Sequence, residues 1–399
     1  MPQVLSSRAA STVRSALDLA PPDLTGLSCQ RAPLAASRPS GNTATVYCEA
    51  NFGAVDGKTA NGLVRHSEKY EILSVIDSAK AGLDAHEVLG HRSEGVPVCT
   101  DLAHAIALAG RVPDYLILGI APASGMLSPA ERCVVLDAMK RGMHVVNGLH
   151  EFLNDDAEFS EARDRHNVTI LDVRRPRDRR HLRTFSGRIS QVACPRIAVL
   201  GTDCAIGKRT TATILARVLN ERGIKAVLVN TGQTGLIQGA RYGVALDAIP
   251  SQFCAGEMEA VVVEAYQAEQ PDVIIVEGQG ALSHPAYLTA GFILRGSQPQ
   301  GVILQHAPGR RMRADFANAP MPDLASEINL IETFSSTRVI GLTINHEQMT
   351  DPEVTAAIAL YEFELGIPAT DAISRPTDRL VDMVLAAFPQ LNATPLAGN

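Results

Sequence analysis

Residues 196–211 read Arg-Ile-Ala-Val-Leu-Gly-Thr-Asp-Cys-Ala-Ile-Gly-Lys-Arg-Thr-Thr. Arg196 to Leu200 form a short apolar run between Pro195 and Gly201, the mark of a buried strand, and Thr210 opens an apolar-periodic helix through Val218. Between them lies Gly201-Thr202-Asp203-Cys204-Ala205-Ile206-Gly207-Lys208. A strand, a glycine-bounded loop ending in Gly-Lys and then a helix is the layout of a phosphate cradle, because loop amides and helix N-terminus both point positive partial charge at an anion. Gly201 through Lys208, with Arg209 and Thr210, are therefore the expected cofactor-binding residues.

The usual cradle leaves four residues between its glycines and puts Ser or Thr directly after the lysine; here five intervene and Arg209 follows Lys208. The wider spacing resembles the P-loop of dethiobiotin synthetases. The displaced hydroxyl is the one that ordinarily holds Mg²⁺. Thr210, one position further along, either reaches such an ion or leaves the loop to work without one.

The chain of 399 residues is long enough for two or three domains with their own cores. An apolar content of 46% with 20% charged residues is ordinary for a globular protein, and no stretch approaches the roughly 20 uninterrupted apolar residues of a membrane span. A net charge of -7 gives no reason to expect nucleic acid as a partner. The seven cysteines (Cys29, Cys48, Cys99, Cys133, Cys194, Cys204, Cys254) include no C-x-x-C pair, which fits thiols in a reducing cytoplasm better than disulfides or zinc.

Residues 1–42 are rich in Ser, Ala and Pro and read as an extension outside the folded domains. From Thr43 strands and helices alternate. Strands are expected at Thr43–Glu49, Glu71–Ile76, Tyr115–Leu118, His144–Asn147 and Val168–Val173, giving a Rossmann-like parallel sheet over residues 43–188. Its first turn, Gly53-Ala-Val-Asp-Gly57-Lys58-Thr59, is one residue short of a phosphate loop and is either a ligand contact or a tight turn with Lys58 in solvent. Asp77 sits where a ribose-binding acid would, but G-x-G-x-x-G is missing, which argues against nicotinamide. The loop Gly119–Gly125 follows a strand and belongs at the ligand-binding edge. Arg174, Arg175, Arg177, Arg179, Arg180, Arg183 and Arg188 form a basic run that reads as a solvated interdomain linker or as a grip for a polyanion.

The second domain, residues 189–399, repeats the rhythm. Strands are expected at Arg196–Leu200, Ala226–Asn230, Asp272–Glu277, Gly301–Gln305 and Val339–Ile344. Helices are expected at Thr210–Arg222, Glu257–Glu269, Leu324–Phe334, Pro352–Leu365 and Thr377–Ala387. Strand tips beside the cradle should supply the remaining ligands. Thr231, Gly232, Gln233 and Thr234 end one strand and suit close approach to a substrate; Arg310 and Arg311 suit its carboxylates or else a plain surface. Asp272-Val-Ile-Ile-Val-Glu277 is a Walker-B-like element whose Glu277 can accept a proton or hold Mg²⁺ through water. His284, seven residues on, is a second proton acceptor or a structural histidine. Glu257 reads as a charge partner for the dipole at the start of its helix.

Together the motifs resemble a bacterial P-loop family associated with D-glutamate N-acetyltransferase activity. They are Ala50–Leu63, Gly148–Leu153 (GLHEFL), Asp172–Pro176 (DVRRP), the 201–211 loop, Thr231–Gly235 (TGQTG), VEGQGALSHP from Val276 to Pro285, and Ile344–Glu347 (INHE). Gln252 departs from that pattern, which has an acid there. The resemblance implies a Rossmann-like domain fused to a P-loop domain, both with mostly parallel sheets. It also implies transfer of acetyl from acetyl-CoA to the amine of a small acidic amino acid, with Glu277 or His284 as base and Lys208, Arg209 and the loop amides on the cofactor diphosphate. A cytoplasmic homo-oligomer is expected. The rival readings are a Mg-ATP-dependent ligase or kinase with Thr210 and Glu277 on the metal, and a nucleotide sensor without turnover.

Overall fold

The computed structural model describes residues 42–90, 95–122, 124–314 and 316–393. The extension expected at 1–42 falls outside these residues except for Asn42, as do Cys29 and, in the 119–125 loop, Ala123.

The N-terminal half runs β1 (Thr43–Tyr47), α1 (Lys58–Arg65), β2 (Glu71–Ile76), α2 (Ala85–Val88), β3 (Val98–Cys99) and α3 (Leu102–Ala109). It continues with β4 (Tyr115–Leu118), α4 (Pro129–Lys140), β5 (His144–Asn147), α5 (Ala157–His166) and β6 (Ile170–Asp172). The six strands lie in the order β3-β2-β1-β4-β5-β6 and every pairing is parallel. That is the Rossmann order, with its switch point between β1 and β4. Gly119 after β4 packs so closely that a Cβ there would stand 2.5 Å from Val46 and 2.7 Å from Ala60.

The C-terminal half runs β7 (Arg196–Gly201), α6 (Lys208–Glu221), β8 (Ala226–Asn230), α7 (Gln233–Gln238), β9 (Tyr242–Gly243), α8 (Ser251–Glu269) and β10 (Val273–Glu277). After these come α9 (Thr289–Ser297), β11 (Gly301–His306), a hairpin of β12 (Met312–Arg313) and β13 (Phe316–Pro320), and α10 (Leu324–Phe334). The half ends with β14 (Arg338–Ile344), α11 (Asp351–Leu365), β15 (Ala369–Thr370) and α12 (Asp378–Ala387). Seven parallel strands take the order β15-β14-β11-β7-β10-β8-β9.

The central strands β7, β10 and β11 are buried throughout, so their sequences run apolar rather than alternating. Ile197 and Val199 pack into one core with Leu215 and Val384, while Ala198 and Leu200 face another with Met258 and Ile293. At roughly 1.5–3 kcal/mol per buried aliphatic side chain, these two layers fix β7 and hence the position of the loop that follows it.

The basic run is not simply a solvated linker. Arg174 is buried, donating to the Gly148 carbonyl at 2.7 Å and pairing with Asp247, while Arg179 and Arg180 are exposed. Glu257, expected at the start of its helix, lies in the second turn because α8 begins at Ser251. It is buried and holds the Arg183 amide at 2.7 Å and the Arg183 guanidinium at 2.8 Å. Glu259 likewise accepts from the amides of Ser186 (2.7 Å) and Ile189 (3.1 Å). These two acids strap the linker onto α8.

Candidate active site at the phosphate loop

The loop after β7 is shaped by what its backbone does. Ala205 and Gly207 take positive φ values of 50° and 101°, so successive peptide units alternate in direction and form an anion nest. Every carbonyl from Asp203 to Ile206 has a donor. Lys208 Nζ bonds the Asp203 carbonyl, Arg310 takes those of Cys204 (2.8 Å) and Ala205 (3.1 Å), and Asn345 takes that of Ile206 (3.1 Å). Among the described residues, the amides of Ala205, Ile206 and Gly207 have no acceptor. Because Gly207 caps α6 without a side chain, the first helical amides are also open. Gly201 makes room for this: a Cβ there would stand 2.8 Å from Ile206 and 2.9 Å from Lys208. Burial holds the Lys208 ammonium below its usual pKa, and the nearby charges of Asp203 and Glu277 oppose that shift.

Arg310 is a buttress of this loop, which corrects its expected role on a substrate. Besides the two carbonyls it holds Asp203 Oδ2 at 3.1 Å and both oxygens of Glu347. Arg311 is exposed, and its carbonyl accepts the Met321 amide. The Asn345-His346-Glu347 motif thus braces the cradle from outside. A residue that sequence reading passed over, Arg313, is buried and ties the Thr202 carbonyl (3.1 Å) to the Ser283 hydroxyl (2.9 Å).

His284 is buried, stacked on Tyr287 with ring centroids 4.5 Å apart. Its Nδ1 accepts the amides of Ala286 and Tyr287, both at 3.2 Å. The hydrogen-bond network therefore assigns the proton to Nε2, which points at Asp203 Oδ1 3.8 Å away. A histidine held in that tautomer is a donor, which removes it as the alternative base. Asp203, Cys204 and His284 bring ligand-type atoms within 4.8 Å of one another. In this tautomer Nε2 offers a metal no lone pair, and of the aspartate Oδ2 is taken by Arg310 (3.1 Å) and by the Ala314 amide (2.8 Å) while Oδ1 faces His284.

Glu277 ends β10 and is buried. Its Oε2 accepts from the Thr231 amide (3.1 Å) and from Arg209 Nη1 (3.3 Å). Arg209 also bonds Asn230 and, at 2.6 Å, Gln238 Oε1. The guanidinium is thus directed away from the loop amides, contrary to its expected place on the diphosphate, and stands beside the Walker-B-like acid as a fixed cation. Asn230 and Gln238 are its uncredited partners; only their position after β8 could have signalled them. Thr231 is fully engaged, its hydroxyl on the Glu277 carbonyl (3.0 Å) and its own carbonyl on Gln279 (2.7 Å).

The remaining expected substrate residues form the seam with the N-terminal half. Thr234 meets Thr59 of α1 at 3.0 Å, Gly148 packs on Gln233, and Gln238 Nε2 donates to the carbonyls of Gly62 (2.6 Å) and His66 (2.7 Å). His150 Nε2 lies 4.0 Å from Asp247, and its pKa is lowered by partial burial and by Arg174, with a smaller push from Lys58. A cavity of about 340 Å³ beside Arg209, Lys225 and Tyr242 includes neither Lys208 nor the loop amides, so it is not the cradle.

A Rossmann-order sheet and a P-loop sheet, with a nest of open amides after β7, define a two-domain α/β protein of Rossmann-like and P-loop type. The chain belongs to the DUF1611 family: residues 78–176 match its N-terminal Rossmann-like domain and residues 183–381 its C-terminal P-loop domain, both described as domains of unknown function. A solved DUF1611 family protein from Anabaena variabilis is 31% identical, with a TM-score of 0.79 over 87% of this chain and 100% of that one. Two curated relatives bear the name D-glutamate N-acetyltransferase. That from Pseudoalteromonas sp is 29% identical over 272 residues, 66% of this chain and 79% of that protein. That from Tritonibacter scottomollicae is 29% identical over 278 residues, 68% and 81%. No helix among the described residues is long and apolar enough to cross a membrane.

Proposed function

We propose that this chain is an amino-acid N-acetyltransferase that moves acetyl from acetyl-CoA to the amine of an acidic amino acid, D-glutamate by analogy with the named relatives. The observation that carries the reading is Arg209 beside Glu277: the place where a P-loop enzyme bridges loop hydroxyl and acid with Mg²⁺ holds a guanidinium 3.3 Å from the acid. A cradle of that kind suits a diphosphate that is held and not hydrolysed.

Acetyl-CoA supplies an activated acyl group and a thiolate leaving group. The open amides of Ala205, Ile206 and Gly207, with Lys208, hold its diphosphate. Glu277, kept in place by Arg209 and the Thr231 amide, accepts the proton that the substrate ammonium must lose before attack. His284 packs beside the loop with its Nε2 3.8 Å from Asp203 Oδ1. The Mg-ATP ligase reading needs Arg209 to yield its place to an ion, and no observation favours it.

Mixing the full chain with acetyl-CoA and D- or L-glutamate, in buffer with and without EDTA, tests this by thiol release. Release dependent on the acidic amino acid and insensitive to EDTA is expected. Consumption of ATP that requires Mg²⁺, or tight nucleotide binding with no product, overturns it.

A further inference from the structure

The chain has two glycine-lysine turns, and they are built differently. In the turn after β1 most of the backbone donors are spent. Ala50 (3.3 Å) and Phe52 (3.0 Å) donate to the buried Asp77, and Gly53 to Asn61 Oδ1 (2.8 Å). Ala54, Gly57 and Lys58 donate to the carbonyls of Asn51 (3.0 Å), Ala54 (3.2 Å) and Val55 (3.1 Å). Gly57 is held so tightly that a Cβ would stand 2.1 Å from the Asn51 carbonyl oxygen. Among the described residues the amides of Val55 and Asp56 have no acceptor, but no residue from 54 to 59 takes a positive φ, so they do not form a nest. What this turn offers is the Lys58 ammonium, exposed, in no ion pair among the described residues, and placed at the switch point between β1 and β4.

That ammonium is close to the seam, because the next residue, Thr59, touches Thr234 at 3.0 Å. Gly148, two residues before His150, packs on Gln233 of the same helix, so both segments lie against the start of α7. The acids that could neutralise this group are committed elsewhere: Glu277 to Arg209 and Thr231, Asp247 to Arg174, and Asp203 to Arg310 and Ala314. Asp56, two residues before Lys58, is exposed, and among the described residues Lys58 forms no ion pair.

We propose that Lys58 and His150 form the carboxylate-binding half of the acceptor site, contributed by the Rossmann-like half and facing Glu277 of the P-loop half. A phosphate selects clustered amides, whereas a carboxylate needs a point charge and a hydrogen-bond donor, which an ammonium and an imidazole N–H supply. With its carboxylate on Lys58, an acidic amino acid turns its amine towards Glu277, and neither half holds a complete site. The inference rests on the acetyl-transfer reading above.

Isothermal titration of the full chain with D-glutamate, with and without saturating CoA, tests it on wild type, Lys58→Met and Lys58→Arg. Loss of one charge-assisted contact should weaken D-glutamate about tenfold or more in Lys58→Met, with partial recovery in Lys58→Arg and CoA affinity changed by less than about twofold. Equal D-glutamate affinity in wild type and Lys58→Met, with glutamate still acetylated, overturns this site and leaves the transferase standing. Weakened CoA with unchanged glutamate also overturns it, assigning Lys58 to the cradle. If wild type neither binds nor acetylates any of D- and L-glutamate or D- and L-aspartate, the acidic acceptor falls, and this site with it.

Discussion

The turn after β1 and the turn after β7 carry the same Gly-Lys pair at the start of a helix, yet only the second has the alternating backbone of an amide nest. In the 201–208 loop the carbonyls are tied back by Lys208, Arg310 and Asn345, which leaves the amides facing outward. In the 48–58 turn most amides are taken by Asp77, Asn61 and local carbonyls, and those of Val55 and Asp56 lie in a stretch without the positive φ that a nest needs. Where the backbone donors go, and not the glycine-lysine signature, decides what each turn can hold.

The comparison can be broken at several points. Glu277→Gln keeps shape but removes the proton acceptor next to the functional nest; kcat should fall roughly 10²–10⁴-fold while CoA binding by titration persists. Arg310→Met removes the strut that orders the nest and leaves Asp203 short of its buried partner. A loss of about 3–5 kcal/mol in urea unfolding is expected, with CoA affinity falling alongside.

His306 sits behind the same loop, its Nδ1 2.9 Å from the Thr202 hydroxyl, and burial pushes its pKa down from 6.5 to about 4. Above 6.5 both folded and unfolded chains leave it neutral. Between 6.5 and 4 the unfolded chain takes up a proton that the folded one refuses, so stability falls with acid, by about 3 kcal/mol across the window. Urea midpoints at pH 7 and 5 for wild type and His306→Gln check this; the variant should lose less. Lys208→Ala should raise the KM for acetyl-CoA roughly 10–100-fold, and an unchanged KM removes the loop lysine from the cofactor. Lys58→Met, at an exposed position that holds nothing in place, should shift stability by less than about 0.5 kcal/mol in the same unfolding assay.

The layered architecture was legible because the central strands are short, continuous apolar runs flanked by glycine and proline. β2, β4, β5, β8 and α10 have the bounds their sequences predict. The two-residue strands β3, β9 and β15 and the β12–β13 hairpin were not, since two residues carry no periodicity. α8 starts earlier than expected because no side chain caps it and Pro250 supplies the only local signal. Within the site, the loop and Glu277 could be read from motif and strand tip. Arg310 could not, because a loop's cations show their charge and not which side of a neighbouring turn they will reach about a hundred residues away in the chain. The tautomer of His284 depends on a local turn that presents the amides of Ala286 and Tyr287, a backbone property invisible to residue type.

The two glutamates of α8 that grip the amides of Arg183, Ser186 and Ile189 have a mechanical consequence. The tether joining the halves is stapled to the C-terminal one as far back as Arg183. A rearrangement of the halves that keeps these staples therefore bends the chain upstream of Arg183, and it has also to part Arg174 from Asp247 and Gln238 from Gly62 and His66.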